Sequence, residues 1–294
     1  MEMKFAFISA PFDFSSPVEG AKNGPSAILF RLLPRLKEAK VEYKIYPQLP
    51  LPNKLPTVDP KRRHAKEALL ACGNYYSQVC DAIYKGFFPI VLGGEHTVAF
   101  ASLKASSRGK RQGLLWVDAH GDFNTPQTTL TGNVHGMVVQ MISSKSVEGI
   151  TELEKELVAP QDAVLFGTRD LDSLERELFS KSKVRNFEMV EIRGKGFEES
   201  VLELEAKFAK LDGVHVSLDL DSLSPELVPG ISLPVEGGFS LREVEQLLSR
   251  MSKLKPTCLD VVEYNPSLDH NHATADVAAK LIVCFISGLK ANGN

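Results

Sequence analysis

The sequence predicts an α/β protein built on a mostly parallel sheet with helices on both faces. Strand-like apolar runs alternate with helix-like segments along the chain, which is the pattern of repeated βαβ units. The 294 residues suffice for one large domain with a full core, and no internal repeat, low-complexity tract or linker divides them. The expectation is therefore a single catalytic domain over residues 1–294.

The elements follow in order. "KFAFISA" (4–10) is the first strand. "PSAILFRLLPRLKEA" (25–39) has helical apolar spacing at Ile28, Leu29, Leu32, Leu33 and Leu36, with a kink expected at Pro34. "VEYKIY" alternates as a strand does. "PQLPLPNKLPTVDP" (47–60) holds too many prolines for a helix or central strand. Lys61 to Gly86 reads as one long helix ended by glycine. "FFPIVLGG" and a helix from about Thr97 come next. "GLLWVDAH" is then a strand, followed by a loop to about Gly136 and a helix through Met141. "AVLFGTR" (163–169), "VRNFEM" (184–189), "GVHVSLDLD" (213–221) and "TCLDVVEYNP" (257–266) are further strands between helices, and "DVAAKLIVCFISGL" is a buried final helix.

Composition narrows the function classes. Hydrophobic residues are 43%, charged residues 24% and the net charge is −3, with no basic stripe, so a nucleic-acid partner is not expected. No apolar run reaches the ~18 residues of a membrane helix, so no membrane partner is expected either. The apolar N-terminal stretch is broken by Pro11 and Asp13 and reads as a strand, not a leader. Cys72, Cys80, Cys258 and Cys284 are scattered through apolar segments, which suits reduced thiols and a cytoplasmic location.

Ligands of open parallel sheets bind beyond the carboxyl ends of the strands. Three strand ends here carry one kind of cargo. "GLLWVDAHGDFNTP" places Asp118, His120 and Asp122 at alternate positions, which on an extended strand face one point. In "VHVSLDLD", Val214, Val216, Leu218 and Leu220 form an apolar face opposite His215, Ser217, Asp219 and Asp221. "PIVLGGEHT" ends in two glycines, Glu95 and His96.

Crowded aspartates in a low dielectric either rise in pKa or hold a cation between them. A lone Asp-x-His or Asp-x-Asp at a strand end is usually a hydrogen-bonded loop anchor. Four aspartates and two histidines with no interleaved Lys or Arg call for about two divalent cations. Oxygen and imidazole donors without thiolate favour Mn²⁺ or a similar ion over a structural zinc, and Co²⁺ or Fe²⁺ fits the same set.

"GGEHT", "DAHGDFNTP", "SLDLDSLSP" and "EYNP", in this order, resemble the ureohydrolases, the superfamily of arginases and agmatinases. The resemblance spans nearly the whole chain. It implies a three-layer α/β/α fold with a mainly parallel sheet of about eight strands, two Mn²⁺ per subunit and a homotrimer or homohexamer. By that resemblance His96, Asp118, Asp122 and Asp219 hold one metal, and His120, Asp118, Asp219 and Asp221 the other. The implied nucleophile is a hydroxide bridging the two ions, with Asp122 accepting its hydrogen bond. His135 matches the proton shuttle and Glu263 the carboxylate that pairs with the guanidinium.

The tail of the second motif resembles arginases in particular. Asn124 and Thr131, with Asn133 nearby, match the donors to an α-carboxylate, and Asp172 of "TRDLD" the acceptor of an α-ammonium. The expectation is hydrolysis of L-arginine to L-ornithine and urea. Alternatives are a ureohydrolase for agmatine or guanidinobutyrate, or a relative that kept the fold without catalysis. His64, His215, His270 and His272 are expected to be structural or solvated, and Glu95 to support its neighbours without ligating. The chain departs from the arginase pattern at Ser224–Pro225 and in "GISLPVEGG" (230–238). "PVEGAKNGP" (17–25), whose one basic residue is Lys22, lacks the basic residue common in arginases near this point.

Overall fold

The computed structural model describes residues 3–107, 109 and 111–292. Its elements are β1 (Lys4–Ala10), α1 (Gly24–Glu38), β2 (Tyr43–Ile45), α2 (Ala65–Tyr84), β3 (Phe87–Gly93), α3 (Val98–Ser106) and β4 (Gln112–Val117). They continue with α4 (Val138–Ser143), β5 (Ser146–Val147), β6 (Thr151–Glu152), β7 (Ala163–Thr168), α5 (Ser173–Lys181), β8 (Arg185–Glu188) and α6 (Met189–Lys195). The last are α7 (Phe197–Phe208), β9 (Gly213–Asp219), α8 (Leu241–Met251), β10 (Pro256–Val262) and α9 (Ala273–Asn292).

Eight strands form one sheet in the order β2-β1-β3-β10-β9-β4-β7-β8, and every pairing within it is parallel. β5 and β6 form a separate antiparallel pair that the sequence patterning does not announce, because each is two residues long. The period-two alternation of each strand divides its side chains between two cores. In β4, Leu115 and Val117 join the core under α1, α7, α8 and α9, while Leu114 and Trp116 join the core under α2, α3 and α4. β9 splits differently. Val214, Val216 and Leu218 enter the first core, but His215, Ser217 and Asp219 occupy the opposite face, fully or almost fully buried. The three-layer arrangement and the eight-stranded sheet are as the sequence and its family resemblance imply.

Local differences have local causes. α2 begins at Ala65 and not at Lys61, because His64 sits in the left-handed region at φ 55° and closes a separate turn. It stops before Gly86, at φ 77°. "VEYKIY" contributes only Tyr43–Ile45, an exposed strand at the sheet edge with a partner on one side alone. Pro34 lies inside α1 without ending it. The strands that bear on the site are shorter than their apolar runs: β4 ends at Val117 and β9 at Asp219.

The sheet is held to the α6–α8 layer by aromatic packing. Phe166 stacks on Phe239 with centroids 5.4 Å apart and meets Phe187 and Phe197 at 5.7 and 6.3 Å. Phe166→Ala should lower the unfolding free energy by about 3–5 kcal/mol in denaturant titration. A loss below about 1 kcal/mol would show that this cluster does not anchor the layer.

Candidate functional site

The strand order brings β3, β10, β9 and β4 side by side, so their carboxyl ends share one rim. β3 delivers His96, β10 Glu263, β9 Asp219 and Asp221, and β4 Asp118, His120 and Asp122. These side chains are buried, His120 partly so, as is His135, which comes from the turn at Val134–Met137.

Strand alternation aims Asp219, the last residue of β9, but not His120, Asp122 or Asp221, contrary to the sequence reading. Asp118 is the first residue past β4, and His120 and Asp122 lie in the loop beyond it. Asp122 points inward because its backbone is left-handed at φ 47°, with its carbonyl accepting from Val139 N at 2.9 Å. Asp221 lies in a 3-10 turn, and Asp219 caps that turn by accepting from Asp221 N at 2.8 Å. Glu263 is also left-handed, at φ 65°. Such backbone costs about 1–3 kcal/mol per residue and persists where the surroundings over-determine it.

Two ligand-type groups result: His96 with Asp118 and Asp219, and His120 with Asp118 and Asp221. His96 Nδ1 lies 3.0 Å from Asp118 Oδ2, 3.3 Å from Asp219 Oδ2 and 3.5 Å from Asp122 Oδ2. His120 Nδ1 lies 2.9 Å from Asp221 Oδ2 and 3.5 Å from Asp118 Oδ1. Asp118 is thus common to both groups. Asp219 belongs to the first, and the structure does not draw it into the second.

The charge state shows what the cluster lacks. Burial raises the pKa of Asp122, Asp219 and Asp221, and neighbouring carboxylates raise them further. Asp118 moves the other way: burial opposes its charge, but hydrogen bonds and charges from His120 and His96 hold it low. His96 and His120 are raised, burial notwithstanding, by those same carboxylates. The protein alone leaves mutually repelling acids at its centre, a condition that a cation relieves.

The tautomer of His96 points the same way. Its Nδ1 is buried and faces carboxylate oxygens alone, the nearest being Asp118 Oδ2 at 3.0 Å. Its Nε2 is 2.8 Å from Ser217 Oγ, and Ser217 Oγ donates to Asp260 Oδ2 at 3.3 Å. A serine that donates to a carboxylate must accept from the imidazole, so Nε2 carries a proton and Nδ1 is the atom that faces the acids, free to offer its lone pair once a cation takes the place of a proton there. Asp260 Oδ2 also accepts from Ser102 Oγ at 2.8 Å and from His215 Nε2 at 2.7 Å. His215 Nδ1 meets Ser106 Oγ at 3.1 Å. The nearby grouping of His215, Cys258 and Asp260 is therefore a hydrogen-bonded interior, since both His215 nitrogens are engaged. An imidazole lone pair, carboxylate oxygens and no thiolate fit a divalent ion.

Above the cluster opens a cavity of about 180 Å³. Glu263 Oε1 accepts from His96 N at 2.8 Å and lies 3.3 Å from His135 Nδ1. Burial opposes a charge on His135, but the Glu263 hydrogen bond and the charges of Glu263 and Glu95 raise its pKa. At the mouth, Asn124 Nδ2 donates to Asp172 Oδ2 at 3.3 Å and Asn124 Oδ1 accepts from Thr128 Oγ1 at 2.9 Å. Thr131 and Asn133 line the same opening, and Ile231, Ser232 and Leu233, from the divergent loop, form part of its wall. The structure thus gathers every residue expected at the substrate side.

Glu95 belongs to neither ligand-type group. It accepts from Ser15 N at 2.7 Å and Ser15 Oγ at 3.0 Å, and burial raises its pKa to about 7. That contact needs Gly94, where a Cβ would sit 2.3 Å from Phe12 O. His64, His270 and His272 lie outside the central cavity.

Two positions escaped the sequence reading. Arg169, in "TRDLD", donates to the carbonyls of Asp221 at 2.7 Å and Val235 at 2.8 Å, joining the β9 turn to the 230–238 loop. Glu175 lines the cavity and accepts from Phe123 N at 2.8 Å. Its place three residues beyond Asp172, on the first turn of α5, was the available signal.

Ser217→Ala should weaken metal binding about 10–100-fold in calorimetry, because it frees the His96 tautomer; unchanged affinity would disprove the orienting role. Glu175 gives a pH test. Burial raises its pKa to about 7 from 4.5, with Asp172 adding to the shift. A raised carboxyl stabilises the fold fully below the unfolded value, and that contribution is lost as pH climbs through the folded one. In metal-free protein, wild type should therefore lose Tm relative to Glu175→Gln between pH 4.5 and about 7. A constant Tm difference across that window refutes it.

A model described as the arginase family matches residues 3–288. The arginase of Staphylococcus aureus (strain MRSA252) is 33% identical over 292 residues, covering 95% of each chain. That of Bacillus subtilis (strain 168) is 31% identical, covering 96% of this chain and 97% of its own. The solved arginase of Bacillus caldovelox superposes with a TM-score of 0.90 at 30% identity, over 97% of this chain and 98% of that one. Likeness of sequence and backbone along almost the full length of both partners shows that the chain belongs to the arginase family.

Proposed function

We propose that the protein is a manganese-dependent arginase that hydrolyses L-arginine to L-ornithine and urea. The observation that carries this is the polarity of one cavity. A buried acid and imidazole cluster forms its floor, and an amide-carboxylate pair, Asn124 and Asp172, sits at its mouth. L-arginine has the matching polarity, with a guanidinium at one end and an ammonium and carboxylate at the other.

His96, Asp118, Asp122 and Asp219 would hold one ion, and His120, Asp118 and Asp221 the second, which Asp219 would reach from the first group as the family resemblance implies. Two such ions supply Lewis acidity and lower the pKa of water into the neutral range. The remaining steps belong to the side chains. Glu263 engages the backbone of His96 and the His135 ring through Oε1. That leaves Oε2 to accept from a guanidinium N–H and to align its carbon over the cluster. His135 donates Nδ1–H to Glu263 and keeps Nε2 for proton exchange. In balance, the guanidinium and water give urea and an alkylammonium. The bond from the guanidinium carbon to the side-chain nitrogen breaks, and His135 passes a proton to that departing nitrogen.

At the mouth, Asn124, Thr131 and Asn133 offer neutral donors to the α-carboxylate, and Asp172 accepts from the α-ammonium. A substrate without the carboxylate would leave those donors unused. Because the site draws on residues from His96 to Glu263, the chain works as one catalytic unit.

The test is urea release from a panel of L-arginine, agmatine and guanidinobutyrate with Mn²⁺, Co²⁺ or a chelator. L-Arginine with Mn²⁺ should dominate; preference for agmatine or guanidinobutyrate overturns the substrate assignment. Asn124→Asp sets a carboxylate against a carboxylate and should lower kcat/KM for L-arginine at least ~30-fold, about 2 kcal/mol. An unimpaired variant would remove Asn124 from substrate recognition.

A further inference from the structure

A second concavity, of about 450 Å³, adjoins the mouth of the central cavity, and the two share Pro17, Thr131 and Asn133 in their walls. Their charges are opposite. The central cavity is lined by carboxylates, whereas the second is lined by Lys54, Arg63 and His64 and by no acid.

These cations are placed, and two of them are unspent. In the run Lys61-Arg62-Arg63, Lys61 Nζ donates to Thr129 O at 2.8 Å and Arg62 pairs with Asp59 at 2.8 Å. Among the described residues Arg63 has no ion pair or side-chain hydrogen bond, and neither does Lys54. The Arg63 backbone is fixed all the same. Its N–H donates to Gly132 O at 2.8 Å, and it bridges Asn133 in parallel fashion. Gly132 permits the approach: at φ 75°, a Cβ there would lie 1.7 Å from Pro60 O. The proline-rich segment 47–60 thus brings Lys54, and the turn after it Arg63, to the loop that carries Thr131 and Asn133.

The cavity acids outside the ligand set, Asp170, Asp172 and Glu263, attract a guanidinium or ammonium and repel the carboxylate of the same molecule. Neutral donors hydrogen-bond that carboxylate without offsetting the repulsion. Unpaired cations at the rim do offset it, over distances up to the ~8–10 Å screening length. Lys22, the basic residue of the 17–25 segment, lines neither concavity, so the positive charge beside the mouth comes from another segment.

We propose that Lys54 and Arg63 are specificity-determining residues that favour guanidino acids over guanidino amines by facing the substrate carboxylate with positive charge. The proposal rests on the arginine-hydrolysing reading of the central site. The test compares metal-loaded wild type, Lys54→Met/Arg63→Met and the charge-conserving Lys54→Arg/Arg63→Lys. It reads kcat and KM for L-arginine, and the inhibition constant of agmatine, at low and high salt. At low salt the neutral variant should show a KM for L-arginine raised roughly three- to tenfold at unchanged kcat. Agmatine inhibition should be unchanged or tighter, high salt should shrink the KM difference, and the charge-conserving variant should match wild type. An unmoved KM, or equal weakening toward L-arginine and agmatine, overturns the proposal. If wild type releases no urea from L-arginine, the functional reading fails by itself. Calorimetric binding of L-arginine and agmatine to the same three proteins then decides the charge argument with the same two outcomes.

Discussion

Mutual repulsion among Asp118, Asp122, Asp219 and Asp221 is the constraint on which the rest of the structure depends. These acids are buried at adjoining strand ends, where a low dielectric magnifies every unbalanced charge. Two histidines offset part of it by drawing protons. A divalent ion offsets more, because it adds positive charge where the lone pairs converge. The surrounding framework reads as the apparatus needed to hold that arrangement: left-handed backbone at Asp122 and Glu263, the capped turn at Asp219, and Arg169 clasping the loop carbonyls.

Rigidity reaches the cluster from below the sheet. Ser217 sets the proton on His96, Asp260 sets Ser217, and His215 with Ser102 saturates Asp260. All of these side chains are fully buried, so the network cannot relax toward water. The polar face of β9 is therefore one device from His215 to Asp219: its inner half orients a ligand-type histidine, and its outer end supplies an acid. Trp116 contributes from β4, stacking on His96 at 3.6 Å and donating Nε1–H to Asp118 Oδ2 at 2.9 Å.

Charge is also graded along the axis from floor to rim. Acids dominate the floor, neutral amides and hydroxyls the mouth, and unpaired cations the adjoining concavity. An amino acid with a cationic side chain experiences that gradient as an orienting field. The outermost part of it is built by segment 47–64, which has little regular structure and owes its position to contacts with the loop around residues 129–133.

The sequence by itself determined the α/β class, the places of the eight strands of the main sheet and the chemical identity of the cluster. Those follow from local rules: apolar periodicity reports burial, and acids crowded at strand ends report a cation. It also separated His215 from the ligand-type residues, since two strand steps place it inside. Only the tertiary structure decided how His120, Asp122 and Asp221 aim, because their direction comes from loop dihedrals and a 3-10 turn, which strand periodicity does not encode. The sequence was equally silent on Ser217 and Asp260 as partners of His96, on Arg169 as a clasp and on Lys54 and Arg63 beside the mouth. Each of those depends on contacts between distant segments, and such contacts exist only once the strand order has set β3, β10, β9 and β4 next to one another.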